Sequence, residues 1–414
     1  MSLIILSGEV IFMLPFMIPR LYRPLMLEGW GITNTDLGIA FFAYGITAMF
    51  SYAIGGLLVD KYQPRILISF SLALTGFGSL FLLFFHSAKS LIIIYAFFGV
   101  STILMMWGAL IKTTHLLGGE EQRSAAMGFL DGGRGLVAAL ASSSLIFIVS
   151  LTVPHLESSQ HQLKALNLIY ISTTAFTFLL STLILLILKD FQVEVKSKTT
   201  WVFDKALECL KNVKIWLLGL IVLSSYCGYK NIDNYSIYMV KVLGQDLVNA
   251  AKFTAIIFWL RPVVAILTGV FVDQCHKKNQ TSRFQILFLL LLLSGVTQLL
   301  LAVSGASQFL YVFTIVLLSA TFTYALRALY FSVFGDLKIQ NHLVGTTVGI
   351  VSFVGFLPDI FFGYVTGRLI DLHPGALGFQ YTFLFTAACL FVGAVSSYFL
   401  YRLCWHSTSS QCIS

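Results

Sequence analysis

Long apolar runs separated by short polar breaks follow one another from residue 3 to residue 404. Each run is about 20 residues or longer and lacks period-two alternation, which is the length a helix needs to cross a bilayer and about twice that of a barrel strand. Twelve helices are predicted, at 3–27, 35–59, 66–86, 90–116, 123–149, 167–189, 213–241, 247–272, 283–303, 308–334, 342–370 and 379–404. The extended polar stretch 190–212, with EVKSK near its start and FDKALECLKN at its end, reads as an amphipathic linker. It separates an N-terminal six-helix bundle, 1–189, from a C-terminal one, 213–414.

Composition narrows the class. The chain is 57% hydrophobic and 11% charged, with a mean hydropathy of +0.87, whereas soluble domains carry about 25% charged residues. No soluble fold of this length hides so much apolar surface, so the fold class is an all-α membrane protein. The net charge of +8 belongs to loops rather than to nucleic-acid binding. Lys61, Arg65, Arg123, Lys189, Lys196, Lys198, Lys205, Lys211, Lys214, Lys277, Lys278, Arg283, Lys338 and Arg402 fall on one side. Lys89, Lys164, Lys241, Lys252 and Arg368 fall on the other, which places both termini and the linker in the cytoplasm.

The first apolar run lacks a basic leader and reads as a span rather than a cleaved signal. The cysteines form no CxxC and the histidines no HxxxH or HExxH, so no metal, cofactor or disulfide framework is expected. Neither a Walker motif nor an intramembrane-protease or lipase motif is present, which argues against an enzyme and leaves an ion or solute gradient as the energy source. A bacterial inner membrane and a monomer are the expected setting.

The two halves share a short repeat. Gly56-Leu57-Leu58-Val59-Asp60 follows the second span and Gly269-Val270-Phe271-Val272-Asp273 the eighth, 213 positions later. An offset within two of that places Lys112 of the fourth span over Arg327 of the tenth. The first of these segments, with Asp60, Lys61 and Arg65, resembles the GxxxDRxGRR loop of the major facilitator superfamily. Gln63-Pro64 replaces its central glycine, a departure similar to the organophosphate:phosphate antiporter branch, as is Thr35-Asp36-Leu37-Gly38. The resemblance implies two six-helix bundles with alternating access to a cavity lined by the first, fourth, seventh and tenth spans. It also implies that Asp60 latches one state; Asp273, in the degenerate copy, is a weaker candidate for gating together with Lys61, Arg65, Lys112 and Arg327.

Charged side chains inside a bilayer are costly and mark cavities or partners. Here Arg20, Arg23, Lys112, Arg134, Lys230, Arg261 and Arg327 outnumber Asp131, Asp233 and Asp359, and the middles of the third, sixth, ninth and twelfth spans hold none. A cleft with surplus positive charge concentrates anions. The expected function is therefore secondary transport of a small organic anion, a phosphate ester or carboxylate, with Arg20, Lys230, Asp233, Arg134 and Trp107 as binding candidates. The alternative is a proton-coupled carrier of an amino acid, nucleoside or metal chelate, with Asp131, Asp233 or Asp359 taking the proton, or a sensor on the same fold. The i, i+3 spacings of Asp131 with Arg134 and of Lys230 with Asp233 also fit local pairing. Arg23 is expected to snorkel to headgroups, and Arg261 to use the carbonyl freed by Pro262. Gly132, Gly133 and Gly135 around Arg134 fit close helix packing rather than a phosphate loop.

Overall fold

In the computed structural model the described residues are 1–118, 123–152, 159–189, 208–277, 283–304, 308–330, 333, 337 and 344–409. Within them, the side chains of 53, 56, 57, 60, 115, 118, 123–128, 152, 159, 273, 275–277, 344–346 and 405–409 are not described. All regular structure among the described residues is helical. Among the described residues, ten helices are long and apolar enough to cross a membrane, and eleven if the pair Ser2–Val10 and Met13–Trp30, bent by 43°, counts as one. Asn34–Lys61 is a further continuous helix of 28 residues.

Local chemistry sets the helix ends. Gly31, at φ +63°, closes the first span in the left-handed conformation that glycine adopts without strain. Thr33 and Asp36 then form a reciprocal capping box that starts Asn34–Lys61, the Asp36 carboxylate accepting from Thr33 N at 2.9 Å. Gln63 is extended and Pro64 is the first residue of Pro64–Phe81, so the dipeptide that replaces the loop glycine is a helix start.

Several predicted spans are broken. A π-helical turn, Met13–Met17, interrupts the first. The fourth divides into Ala88–Ile103 and Met106–Gly118. A 3₁₀ turn, Ile232–Asn234, splits the seventh into Val213–Asn231 and Tyr235–Lys241, at a run of Asn and Asp residues that compete with helical hydrogen bonding. The eleventh divides into Val344–Gly355 and Pro358–Leu372, at the proline. Pro262, by contrast, lies inside the unbroken helix Leu247–Lys277.

The described residues group into two compact units. The first comprises 1–197 together with 233–262 and 359–371; the second comprises 198–232, 263–358 and 372–414. In the first unit, hydroxyls join Pro64–Phe81 to Ser159–Ile187: Ser69 to the Ser181 carbonyl at 2.8 Å, and Ser79 to Thr174 at 2.5 Å. Such bonds contribute about 0.6 kcal/mol each where lipid removes the hydrophobic drive for association. The same unit packs Asn34–Lys61 on Pro358–Leu372 through glycines. A Cβ on Gly45 would lie 2.8 Å from the backbone of Asp359, and one on Gly38 2.7 Å from that of Tyr364. In the second unit, Val213–Asn231 and Arg283–Ser304 share an apolar core with Ala376–Ser409, through Leu218, Val222, Leu287, Leu291 and Leu390.

Candidate functional site

Two polar clusters lie inside the first unit. The first sits around the break in the opening span. Glu9 is one residue from the end of Ser2–Val10 and is 8% exposed. Its Oε2 accepts from Arg134 Nε at 3.2 Å and its Oε1 from Arg261 Nη1 at 3.5 Å. Arg261 also donates from Nη2 to Asp131 at 3.2 Å. The Arg134 guanidinium lies 5.5 Å from the Phe12 ring centre and 5.8 Å from that of Trp107. Arg134 and Arg261 are 7% and 5% exposed, while the Asp131 side chain is 44% exposed.

Missing side chains make the cluster possible. A Cβ on Gly133 would fall 2.7 Å from Ile5, and one on Gly135 3.3 Å from both Arg261 and Pro262. These two glycines therefore admit neighbouring side chains, as close packing requires, whereas Gly132 meets nothing within 4 Å. Gly8 is crowded in the same way, by the Arg134 stem and Leu110.

The second cluster lies at helix ends. Arg20 is bound to Asp233 and sits 5.8 Å from the Phe258 ring centre. Arg23 is buried rather than snorkelling. It donates from Nε to Asn34 Oδ1 at 3.0 Å, and from Nη1 to Asn234 Oδ1 at 2.6 Å and the Asp233 carbonyl at 3.3 Å. Asn34 and Thr35, at the start of Asn34–Lys61, both donate to the Asp371 carboxylate, with Asn34 Nδ2 at 2.8 Å and Thr35 N and Oγ1 each at 2.6 Å. Lys241 reaches Glu28 at 2.9 Å on the same unit.

The candidates named from the sequence therefore separate. Arg134, Trp107 and Asp131 converge on Glu9 and Arg261, whereas Arg20 and Asp233 meet in the second cluster. Arg261 directs its guanidinium at the carboxylates of Glu9 and Asp131. Lys112 donates to the Val59 carbonyl at 2.8 Å, in the last turn of Asn34–Lys61. Lys61 is exposed in that turn, and Arg65 lies in the first turn of the next helix. In the second unit Lys230 is 2% exposed in the last turn of Val213–Asn231, and Arg327 lies 4.2 Å over the Tyr229 ring. Asp359 occupies the first turn of Pro358–Leu372. The side chains of Asp60 and Asp273, and linker residues 190–207, lie outside the described residues.

Glu9 and Asp371 are absent from the sequence-based candidates. Glu9 carried a usable signal, an acid inside an apolar run, and it corrects the charge balance drawn above to four acids. Asp371 carried none, because an acid at a helix end is ordinary.

The sequence profile of the Major Facilitator Superfamily matches residues 5–363. The chain belongs to that superfamily. It is a multi-pass inner-membrane protein with the fold of transporters rather than enzymes. It is 27% identical to the inner membrane protein YqcE of Escherichia coli K12, over 97% of this chain and 94% of that one. Among solved structures, a bacterial homologue of the human lysosomal transporter Spinster, in an inward-facing, occupied conformation, superposes with a TM-score of 0.74. It is 13% identical and covers 97% of this chain and 96% of that one. The nucleoside transporter NupG gives 0.68 at 14% identity, over 97% of this chain and 98% of that one. At such identities the two structures share the superfamily's fold with this chain and carry no information about its substrate.

Proposed function

We propose that this superfamily member moves a small organic anion by alternating access, as an antiporter against a second anion or in symport with a proton. The carrying observation is the excess of buried basic groups. Arg20, Arg23, Arg134, Lys230 and Arg261 are all buried, against the buried Glu9 and Asp233 and the half-exposed Asp131 that pair with three of them. A low-dielectric interior with this balance favours anions. Arg134, beside the Phe12 and Trp107 rings, suits a planar carboxylate or phosphate group, since guanidinium bonds such groups bidentately. Lys230, buried in the second unit, is the basic candidate there. In this reading twelve spans form two halves, 1–189 and 213–414, joined by a cytoplasmic linker, with both termini cytoplasmic. The organophosphate:phosphate branch remains the reading of the Gln63-Pro64 loop.

A second reading has its own support. Tyr226 and Tyr229 stack at 5.6 Å, with Phe356 edge-on to Tyr226 at 5.0 Å. Such a wall would serve a nucleoside-like ring, and Asp131, half-exposed beside Arg261, would serve a coupling proton.

The test is a thermal-shift panel on the purified protein, with inorganic phosphate, sugar phosphates, carboxylates, amino acids and nucleosides. A ligand at about 100 times its Kd stabilises by about 2.7 kcal/mol. Stabilisation by phosphate or carboxylate compounds, lost in both Arg134→Gln and Lys230→Gln, is the expected result. A response confined to neutral or zwitterionic solutes would refute the anion reading and favour the second.

A further inference from the structure

Glu9 is the buried acid that the proposed anion pathway leaves without a role. It is held by two arginines from different helices, Arg134 of Arg123–Thr152 and Arg261 of Leu247–Lys277. Every group in the contact is a side chain, and the oxygen distances of 3.2 and 3.5 Å exceed those of tight charge-assisted bonds, which run to about 2.7–2.9 Å. The arginines sit on continuous helices, but Glu9 does not. It lies one residue before the end of Ser2–Val10, and the π-helical turn Met13–Met17 follows. Turns of that kind concentrate at functional sites, and broken spans supply binding sites in transporters because their backbone can rearrange locally. Phe12, in the break itself, covers one face of Arg134.

We infer that the Glu9 carboxylate is a tethered stand-in for the substrate's acidic group. It occupies Arg134 and Arg261 in the unloaded carrier and yields them to a carboxylate or phosphate of the substrate. The exchange conserves charge at the arginines, so Arg134 keeps a carboxylate while the site is empty, as Arg261 does with Asp131 as well; a bare cation in the membrane would be costly. It also couples binding to movement, because a displaced Glu9 carries the end of Ser2–Val10 with it. This inference rests on the anion reading and adds to it a residue that sets affinity by competing with the substrate.

The experiment uses the full-length protein and its Glu9→Gln and Glu9→Ala variants, with sodium acetate and inorganic phosphate as probes and sodium chloride at equal ionic strength as control. Glu9→Ala is expected to lose thermal stability and to regain it with acetate or phosphate beyond the chloride control. Glu9→Gln, which keeps the side-chain shape, is expected to bind phosphate at least about tenfold more tightly than the parent, a change of about 1.4 kcal/mol. Absence of rescue, with Glu9→Gln binding unchanged or weakened, would overturn the inference. Failure of the anion reading looks different. Acetate rescue of Glu9→Ala in a carrier that transports only neutral solutes would show an exchangeable anion site that the substrate does not use. Intact anion transport without rescue would make Glu9 a fixed structural partner.

Discussion

The two polar clusters of the first unit contain similar residues in different settings. At the helix ends, Asp371 takes backbone N–H donors from Asn34 and Thr35 as well as side-chain donors. Those amides have no intrahelical acceptor, so the carboxylate satisfies groups that the fold must satisfy in any case. Around Glu9 the partners of the carboxylate are side chains, one of them, Arg134, beside two aromatic rings, next to an interrupted helix. A cluster anchored in backbone is fixed by the helix it caps, whereas one made of side chains can exchange a member for a ligand. The first should therefore govern stability and the second ligand response.

The largest effect is expected at the side-chain cluster. Arg134→Gln should weaken binding of any stabilising anion by about 100-fold, or about 2.7 kcal/mol, while Arg261 still holds Glu9. Isothermal titration with the strongest ligand of the panel measures it, and Arg134→Lys should recover only part, because an ammonium does not reproduce the planar fork. An affinity within threefold of the parent would remove this cluster from the substrate path.

Asp371→Ala sharpens the contrast from the other side. It orphans amides at the start of a 28-residue helix, and each unmade bond at a part-buried site costs about 1 kcal/mol. A loss of about 2 kcal/mol, read as a lowered Tm, is expected with anion affinity unchanged within twofold. A comparable fall in affinity would mean that the two clusters act as one site.

Trp107 comes next. Its ring contributes one of the two aromatic faces near Arg134, and a cation–π contact in a desolvated place contributes about 1–2 kcal/mol. Trp107→Leu should weaken the anion about fivefold and Trp107→Phe much less, by the same titration. Equal losses in both would point to packing instead of the ring.

How much of this was readable in the sequence follows from the range of each interaction. Spans depend on composition over some twenty residues, so helices such as 283–303 were placed almost to the residue: the structure has Arg283–Ser304. The packing role of Gly133 and Gly135 was also local, whereas the span expected over 342–370 is broken at Pro358. Pro262 lies within a helix that continues through it, because helices inside a membrane re-satisfy the freed carbonyl through neighbours. The π-helical turn after Val10 had no marker beyond Pro15. Partners across the fold were invisible: Glu9 is 125 positions from Arg134 and 252 from Arg261. The i, i+3 spacing of Asp131 and Arg134 pointed to a local pair, yet these residues reach Arg261 and Glu9.

The smallest effect should come from Lys112, which tests the contrast at the opposite end of the same helix that Asp371 caps. Its ammonium meets the Val59 carbonyl, one of the last-turn acceptors that have no helical donor, at the end where the dipole favours a cation. Lys112 is half-buried, so screening keeps the contribution near about 0.5–1 kcal/mol. Lys112→Met keeps the apolar stem and removes only the charge and its hydrogen bond. It should lower Tm slightly, leave anion affinity untouched, and be reversed by Lys112→Arg. If Lys112→Met instead slowed transport at least about tenfold at unchanged Tm, then Lys112 would be a gating residue of the kind its repeat partner Arg327 was expected to be, and charge at helix ends would belong to the transport cycle and not to stability alone.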